Sequence, residues 1–541
     1  MSDLLRMTGL YSGMDTESIV SQLVSAKQKR VTTLKAEQTK VEWKQNVWQD
    51  MNKKIYSLYS STLSNLRLSS AYMKKTTTSS DTTKATVVAS EAAVNGTQTL
   101  KINHLAKAGY LTGAELKPKK KTEKNEDGTE TTKEVDWETT DKLADINAEL
   151  VGKTITISTG TGEDEKIKEI AITGEMTISE FTSQLKEAGV NASFDTKNQR
   201  FFISSKATGL KNDFSITSNQ LASGTSALSA LGLDTTASSD CTRVVAQDAE
   251  IVLNGATFQS DSNAFSINGL TINAVGETKE EITIVTSTDY ESIYDTIKDF
   301  ISEYNDIINE INQKYNADSA RDYDMLTDEE KESMTDEQIE NWENKIKGSL
   351  LRKDSTLSSI MNAMNTAMTS GYYTNNLSEE EKEKMTQEEI DKWYEKNGNK
   401  KYLFDFGIDK LNYFEAEEDE RYAFHIDGDK DDDKTSAEID KLKKAIATDP
   451  EGTAEFFASL CKNMYDVLNE KMEKTDYSSI YKVYEDKRLQ SEYDDYTKAI
   501  KEAEEELSDY EDKWFDKFSA MEVALSKLQS NQNAVSSMLG M

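Results

Sequence analysis

Both ends of the chain carry an apolar residue at every seventh position. Near the start, Leu34, Val41, Trp48 and Ile55 keep that interval. Near the end, Ile500, Leu507, Trp514, Met521, Leu528 and Val535 keep it, Phe518, Leu525 and Leu539 fill the offset positions, and Gln532 is the polar interruption. A sustained seven-residue apolar repeat is the seam of a coiled coil. A helix with so narrow a seam cannot bury it alone and needs a partner. The nearest partner is the other end of the same chain, and everything between must loop out and return.

Charge favours that pairing. Residues 1 to 78 hold twelve Lys and Arg against six Asp and Glu, whereas residues 484 to 512 hold four against twelve. A basic front helix lying on an acidic back helix has its direction set by those charges. The whole chain of 541 residues has a formal charge of −34, which would repel a nucleic-acid phosphate backbone. Mean hydropathy is −0.69, yet 23 Tyr, 16 Phe and 6 Trp are too many aromatics for wholesale disorder. Met1 to Val20 lacks the apolar stretch of a cleaved signal peptide, and no apolar run is long enough to span a membrane.

Helical spacing runs from residue 18 to 72, and the Thr/Ser cluster Thr76 to Thr83 is expected to end it. The period then falls to two, marking strands at Ala85, Thr97 to Ile102, Lys153 to Ser158, Ile167 to Thr173, Val190 to Asp195 and Arg200 to Ser204. Pro118 to Glu138 reads as a charged loop. Thr177-Ile-Ser-Glu180 is a capping box that opens a short helix. A second β group spans Val244 to Val285, with Asn254-Gly255 and Asn268-Gly269 supplying hairpin turns. Helix resumes at Tyr290. A duplication follows: Leu326 to Trp342 recurs 51 residues on as Leu377 to Trp393, each copy with two capping boxes.

Signals for chemistry are sparse. The histidines are His104 and His425, and no Walker loop, nucleophile elbow or HExxH is present. Cys241 and Cys461 lack ligand spacing and read as small buried hydrophobes. Asp427 to Glu438 places carboxylates at calcium-loop spacing, but Asp432 stands where the turn glycine belongs, so an acidic surface loop is expected and no metal. No cofactor and no catalytic residue is expected.

The terminal motifs carry a resemblance. Gly9-Leu10-x-Ser12-Gly13-Met14-Asp15-Thr16-x-x-Ile19-Val20-x-x-Leu23 resembles the N-terminal motif of the flagellar filament cap family, hook-associated protein 2, and Trp514 to Leu539 resembles its C-terminal helix. Leu350 to Leu357 with Ile360, Leu403 to Ile408, and Lys441 to Phe456 also match, in the family's order. The duplicated acidic stretch is not part of that pattern. The expected fold is α+β: a long antiparallel coiled-coil stalk formed by both chain ends, with a β-rich head of two small domains inserted between. Expected boundaries are 1–41 for an export and assembly segment, 42–78 for the stalk helix, and 79–288 for the head, with about 110–235 inserted in the rest of it. A helical region, 289–513, carries the duplication at 326–342 and 377–393, and 514–541 is the assembly helix.

The resemblance implies a homo-oligomeric cap at the filament tip that helps exported flagellin fold and polymerise. Its implied partners are copies of itself, flagellin, the flagellar type III export machinery and an export chaperone. Export would proceed without a cleaved signal peptide to an extracellular place on the flagellum, which two Pro and no evident disulfide would suit. Assembly and filament contacts are expected at Gly9, Leu10, Ser12, Gly13, Asp15, Ile19 and Leu23, and at Phe518, Met521, Leu525, Leu528 and Leu539. Alternatives are another flagellar axial or junction protein, or a surface adhesin whose head binds host mucin.

Overall fold

The computed structural model describes residues 12–539, except 125–129, 163–164, 238–239, 413, 415 and 419. The chain divides into two compact units, Lys74–Asp289 and the chain on either side of it.

In the flanking unit a front helix, Thr16–Ser57, runs antiparallel to a back helix, Asp486–Leu539. The expected coiled-coil stalk of the two chain ends is thus present. Partner numbers fall on one helix as they rise on the other. Trp48 stacks on Tyr484 with ring centres 5.3 Å apart, Gln38 donates from Nε2 to Thr497 at 2.6 Å, and Lys35 meets Glu504 at 2.6 Å. Lys27 and Arg30 meet Glu506 at 3.0 and 2.9 Å. These ion pairs are solvent-exposed, so they choose partner and direction more than they stabilise.

Below Trp48 the front helix enters a large core. Met51, Ile55, Leu58 and Leu63 are fully buried there with residues of Tyr290–Tyr315, Ser355–Thr369 and Pro450–Lys471. A wider π-helical turn, Leu58–Leu63, rotates Tyr59 onto Tyr465, with ring centres 4.3 Å apart. Burial and the Tyr465 hydroxyl push the Tyr59 phenol up to about 12. The three internal motif blocks converge here, because Leu351, Leu357, Ile360, Leu403, Phe406, Ile408, Leu442, Ile446 and Phe456 all line this core. Asp354 and Asp449 cap the helices that carry them. Gly407 sits at φ +70°, where a side chain would strain the backbone and meet Asp427 and Lys441. Cys461 is buried beside the Tyr72 hydroxyl, and burial pushes its thiol up to about 12.

The Lys74–Asp289 unit holds two apolar clusters. One lies between a five-stranded sheet, in the order Lys75–Ser79, Ile282–Thr288, Gly96–His104, Ala249–Leu253, Ala256–Ser260, and a three-stranded one. The second gathers residues from Leu111 to Cys241 around a four-stranded sheet, a three-stranded sheet and the capped helix Ile178–Glu187. Asn254-Gly255 and Asn268-Gly269 both take positive φ and close the hairpins read from them.

Two local readings change. The helix stops at Leu66, and the polar cluster expected to terminate it becomes a strand, Lys75–Ser79, paired with Ile282–Thr288. Threonine-rich segments with no apolar alternation gain strand structure from a neighbour's ladder, which is invisible locally. Pro118 to Glu138 is also no plain loop. Lys119–Lys124 and Glu130–Val135 pair as a hairpin, exposed almost throughout.

The two duplicated segments keep their capping boxes but meet different surroundings. In the first, Trp342 packs edge-on to Tyr323, and beyond it on the same helix Lys347 lies 4.4 Å from the centre of Trp43 on the front helix. In the second, Tyr394 stacks on Tyr373 with ring centres 4.3 Å apart and donates to Asn376 at 3.1 Å.

Candidate functional site

The expected assembly residues that are described lie along the distal parts of the two paired helices and in the segment that leads into the front one. Gly9 and Leu10 lie outside the described residues. Ser12 reaches across to the back helix, where its backbone N–H donates to Glu522 Oε2 at 3.3 Å and its hydroxyl donates to Oε1. Gly13 follows at φ +69°, with open space where a Cβ would stand, so its requirement is conformational rather than steric. Asp15 then caps the front helix by accepting from the Ser18 N–H at 3.0 Å.

Ile19 and Leu23 are not the residues that face the partner. Ile19 is half-buried and Leu23 is 39% exposed, while Thr16, Val20, Val24 and Val31 are buried. The seven-residue count contains this answer: stepping back from Leu34 passes Lys27 to Val20, and the offset line runs from Gln38 through Val31 to Val24. Ile19 and Leu23 therefore stand on the flank of the pair, open to another surface.

Along the back helix burial falls away toward the end. Ile500 and Ala503 are buried, and Trp514, Phe518, Met521 and Leu525 are half-buried. Val523 is 47% exposed, Leu528 65% and Val535 55%. Leu539 is helical, but its side chain lies outside what is described. Trp514 lies edge-on to Tyr510 and tilted against Phe518, and Lys517 covers its ring at 4.2 Å. The described front segment reaches as far along as Glu522, so an apolar stripe of the back helix extends beyond it.

Other polar clusters are tied up in the fold. His104 Nδ1 meets the Asp248 carbonyl at 2.9 Å, and His425 Nδ1 meets Asp432 at 2.6 Å. In the acidic loop Lys298 bridges Asp429 and Asp431 at 2.7 and 2.5 Å, and Lys441 meets Asp427 at 3.0 Å. Among the described residues no three His, Cys, Asp or Glu side chains gather as a metal ion would need. A cleft of about 870 Å³ in the head is lined by Lys117, Lys120, Lys121, Trp137, Asp141 and Asp234. Asp141 is paired with Lys119, and the hydroxyls of Ser226, Thr236 and Ser229 hold Asp234 well below the usual carboxylate range. Neither carboxylate is placed to act as a base. No helix of the described residues is long and apolar enough to cross a membrane.

Fold and site together define a class: an α+β protein with a β-rich middle, whose front and back helices pair and whose back helix leaves Leu528 and Val535 exposed. Comparison with known proteins narrows it. The family model described as flagellar hook-associated protein 2 C-terminus matches residues 246–530, and that of the N-terminus matches 12–109. The chain belongs to the flagellar hook-associated protein 2 family. A relative of that name from Halalkalibacterium halodurans is 24% identical over 391 residues, covering 69% of this chain and 70% of the relative. Another from Thermotoga maritima is 26% identical over 367 residues, covering 65% of this chain and 50% of its own length. The D1-D2-D3 domains of the flagellar cap protein from Escherichia coli share the fold at 18% identity and a TM-score of 0.51, covering 83% of this chain and 99% of that one.

Proposed function

We propose that this chain is a flagellar filament cap: a homo-oligomer at the filament tip that promotes folding and polymerisation of exported flagellin. The observation that carries the reading is the exposed continuation of the seam along the back helix. Leu528 and Val535 continue the heptad rhythm, yet more than half their surface meets solvent. Exposed apolar stripes rimmed by polar residues are contact surfaces. Phe518, Met521, Leu525 and Leu528 would form the seam side of this surface and Ile19 and Leu23 its flank, with Leu539 assigned to it by the family motif alone. The partners are further copies of the chain and flagellin. Export through the flagellar type III route, with a chaperone shielding the seam beforehand, accounts for an extracellular destination.

The reading is tested in a strain lacking the gene. Cap loss leaves unpolymerised flagellin in the medium and cells without filaments, and the full-length gene restores them. Filaments of normal length in the deletion strain, with loss only of attachment to mucin, would replace the cap with an adhesin acting through the head.

A further inference from the structure

Glu522 is the only charged side chain among the described residues that is fully buried, at 1% exposure. A carboxylate withdrawn from water is costly unless donors surround it, and both of its oxygens receive donors from Ser12. It falls between Met521 and Leu525, both half-buried seam residues, the second of them one turn before the exposed Leu528.

The two ends of the front helix are held differently. At the base Asn52 Oδ1 accepts from the Val483 N–H at 2.9 Å and its amide donates to the Tyr481 carbonyl at 3.3 Å, within a core of many elements. Toward the tip the contacts are Val20, Val24 and Val31 on one neighbour, plus exposed ion pairs worth little each. An apolar seam alone tolerates fraying and small shifts, whereas a buried polar pair admits one arrangement. Gly13 supplies the left-handed turn that brings Ser12 over the back helix before Asp15 starts the front helix.

We propose that Ser12 and Glu522 form a clasp that fixes the distal end of the front helix on the back helix and so sets where the open seam begins. Glu522 is a positioning residue for assembly, acting through the placement of Ile19, Leu23 and the overhanging turns. The link to assembly rests on the cap reading; the clasp itself does not.

The test compares full-length wild type with Glu522→Leu, Glu522→Gln and Ser12→Ala. Leucine keeps bulk and removes the acceptors, so lost packing is separated from lost hydrogen bonds. Amide hydrogen exchange is followed in residues 16–24 and 46–55, and filament growth is scored in the complemented deletion strain. Glu522→Leu is expected to speed exchange in 16–24 by about tenfold or more while leaving 46–55 unchanged. Glu522→Gln and Ser12→Ala fall between, and filament growth declines in the same order. Unchanged exchange in 16–24 for Glu522→Leu overturns the clasp. Faster exchange with normal filament growth overturns its part in assembly, leaving the cap reading to stand or fall with the gene deletion.

Discussion

The base and the tip of the helical stalk are written in the same heptad pattern and end up in opposite situations. At the base, Trp48 and Ile55 sit at seam positions and are buried at 2% and 0% exposure, because helices from elsewhere in the chain close over them. At the tip, Leu528 and Val535 hold equivalent positions and remain open. A heptad repeat states that a face wants covering. It does not state which element supplies the cover, and the number of elements returning to that point along the stalk decides it. Where three further helices converge the pattern makes a core, and toward the tip, beside the described front helix, it stays exposed, which the cap proposal takes as a contact surface.

The difference is broken most forcefully at the base. Trp48→Ala removes a fully packed indole stacked on Tyr484 and is expected to cost about 3–5 kcal/mol, read from the denaturant midpoint. A loss below about 1 kcal/mol would mean that the base is no tighter than the tip. Toward the tip, Val24→Ala removes a buried side chain with one neighbouring helix, and about 1–2 kcal/mol is expected in the same measurement. Leu34→Asp should cost a similar amount, since a half-buried leucine is exchanged for a third acid beside Glu492 and Asp495.

The electrostatic contribution is smaller and has a definite sign. The Lys27 ammonium and the Arg30 guanidinium hold the Glu506 carboxyl below its usual value of 4.5. A group with a lowered folded value stabilises above the unfolded value and loses that contribution as pH falls through the folded one. Melting of the wild type should therefore lose slightly more than that of Glu506→Gln between pH 5 and pH 3, and the difference should shrink in high salt. Identical pH profiles would show that the pairs select direction without stabilising. Smallest of all, Leu528→Asp should leave monomer melting within about 0.5 kcal/mol of wild type.

How much of this was legible depends on whether the signal is local. The stalk, the hairpins at Asn254-Gly255 and Asn268-Gly269 and the capped helices follow from periodicity or turn chemistry, which neighbouring residues carry by themselves. The strand Lys75–Ser79 takes its structure from a partner some two hundred positions away, and its own threonines do not announce it. At the candidate site, Ile19 and Leu23 stood out through a motif, whereas the residues facing the back helix are Val20 and Val24, recoverable only by extending the heptad from Leu34. Glu522 was unreadable. One carboxylate among 98 acidic residues gives no sign that it will be enclosed, because a donor to it, Ser12, stands 510 positions away in the sequence.

In the cap reading the last turns of the back helix pack between molecules and not within one. The most direct measurement is the mass of the assembled protein, full-length against a chain ending at Glu522, with the monomer's melting temperature recorded alongside. The shortened chain is expected to melt within a few degrees of the full-length monomer while its higher oligomers vanish. Oligomers of undiminished mass in the shortened chain, or a monomer that melts far earlier, would contradict it.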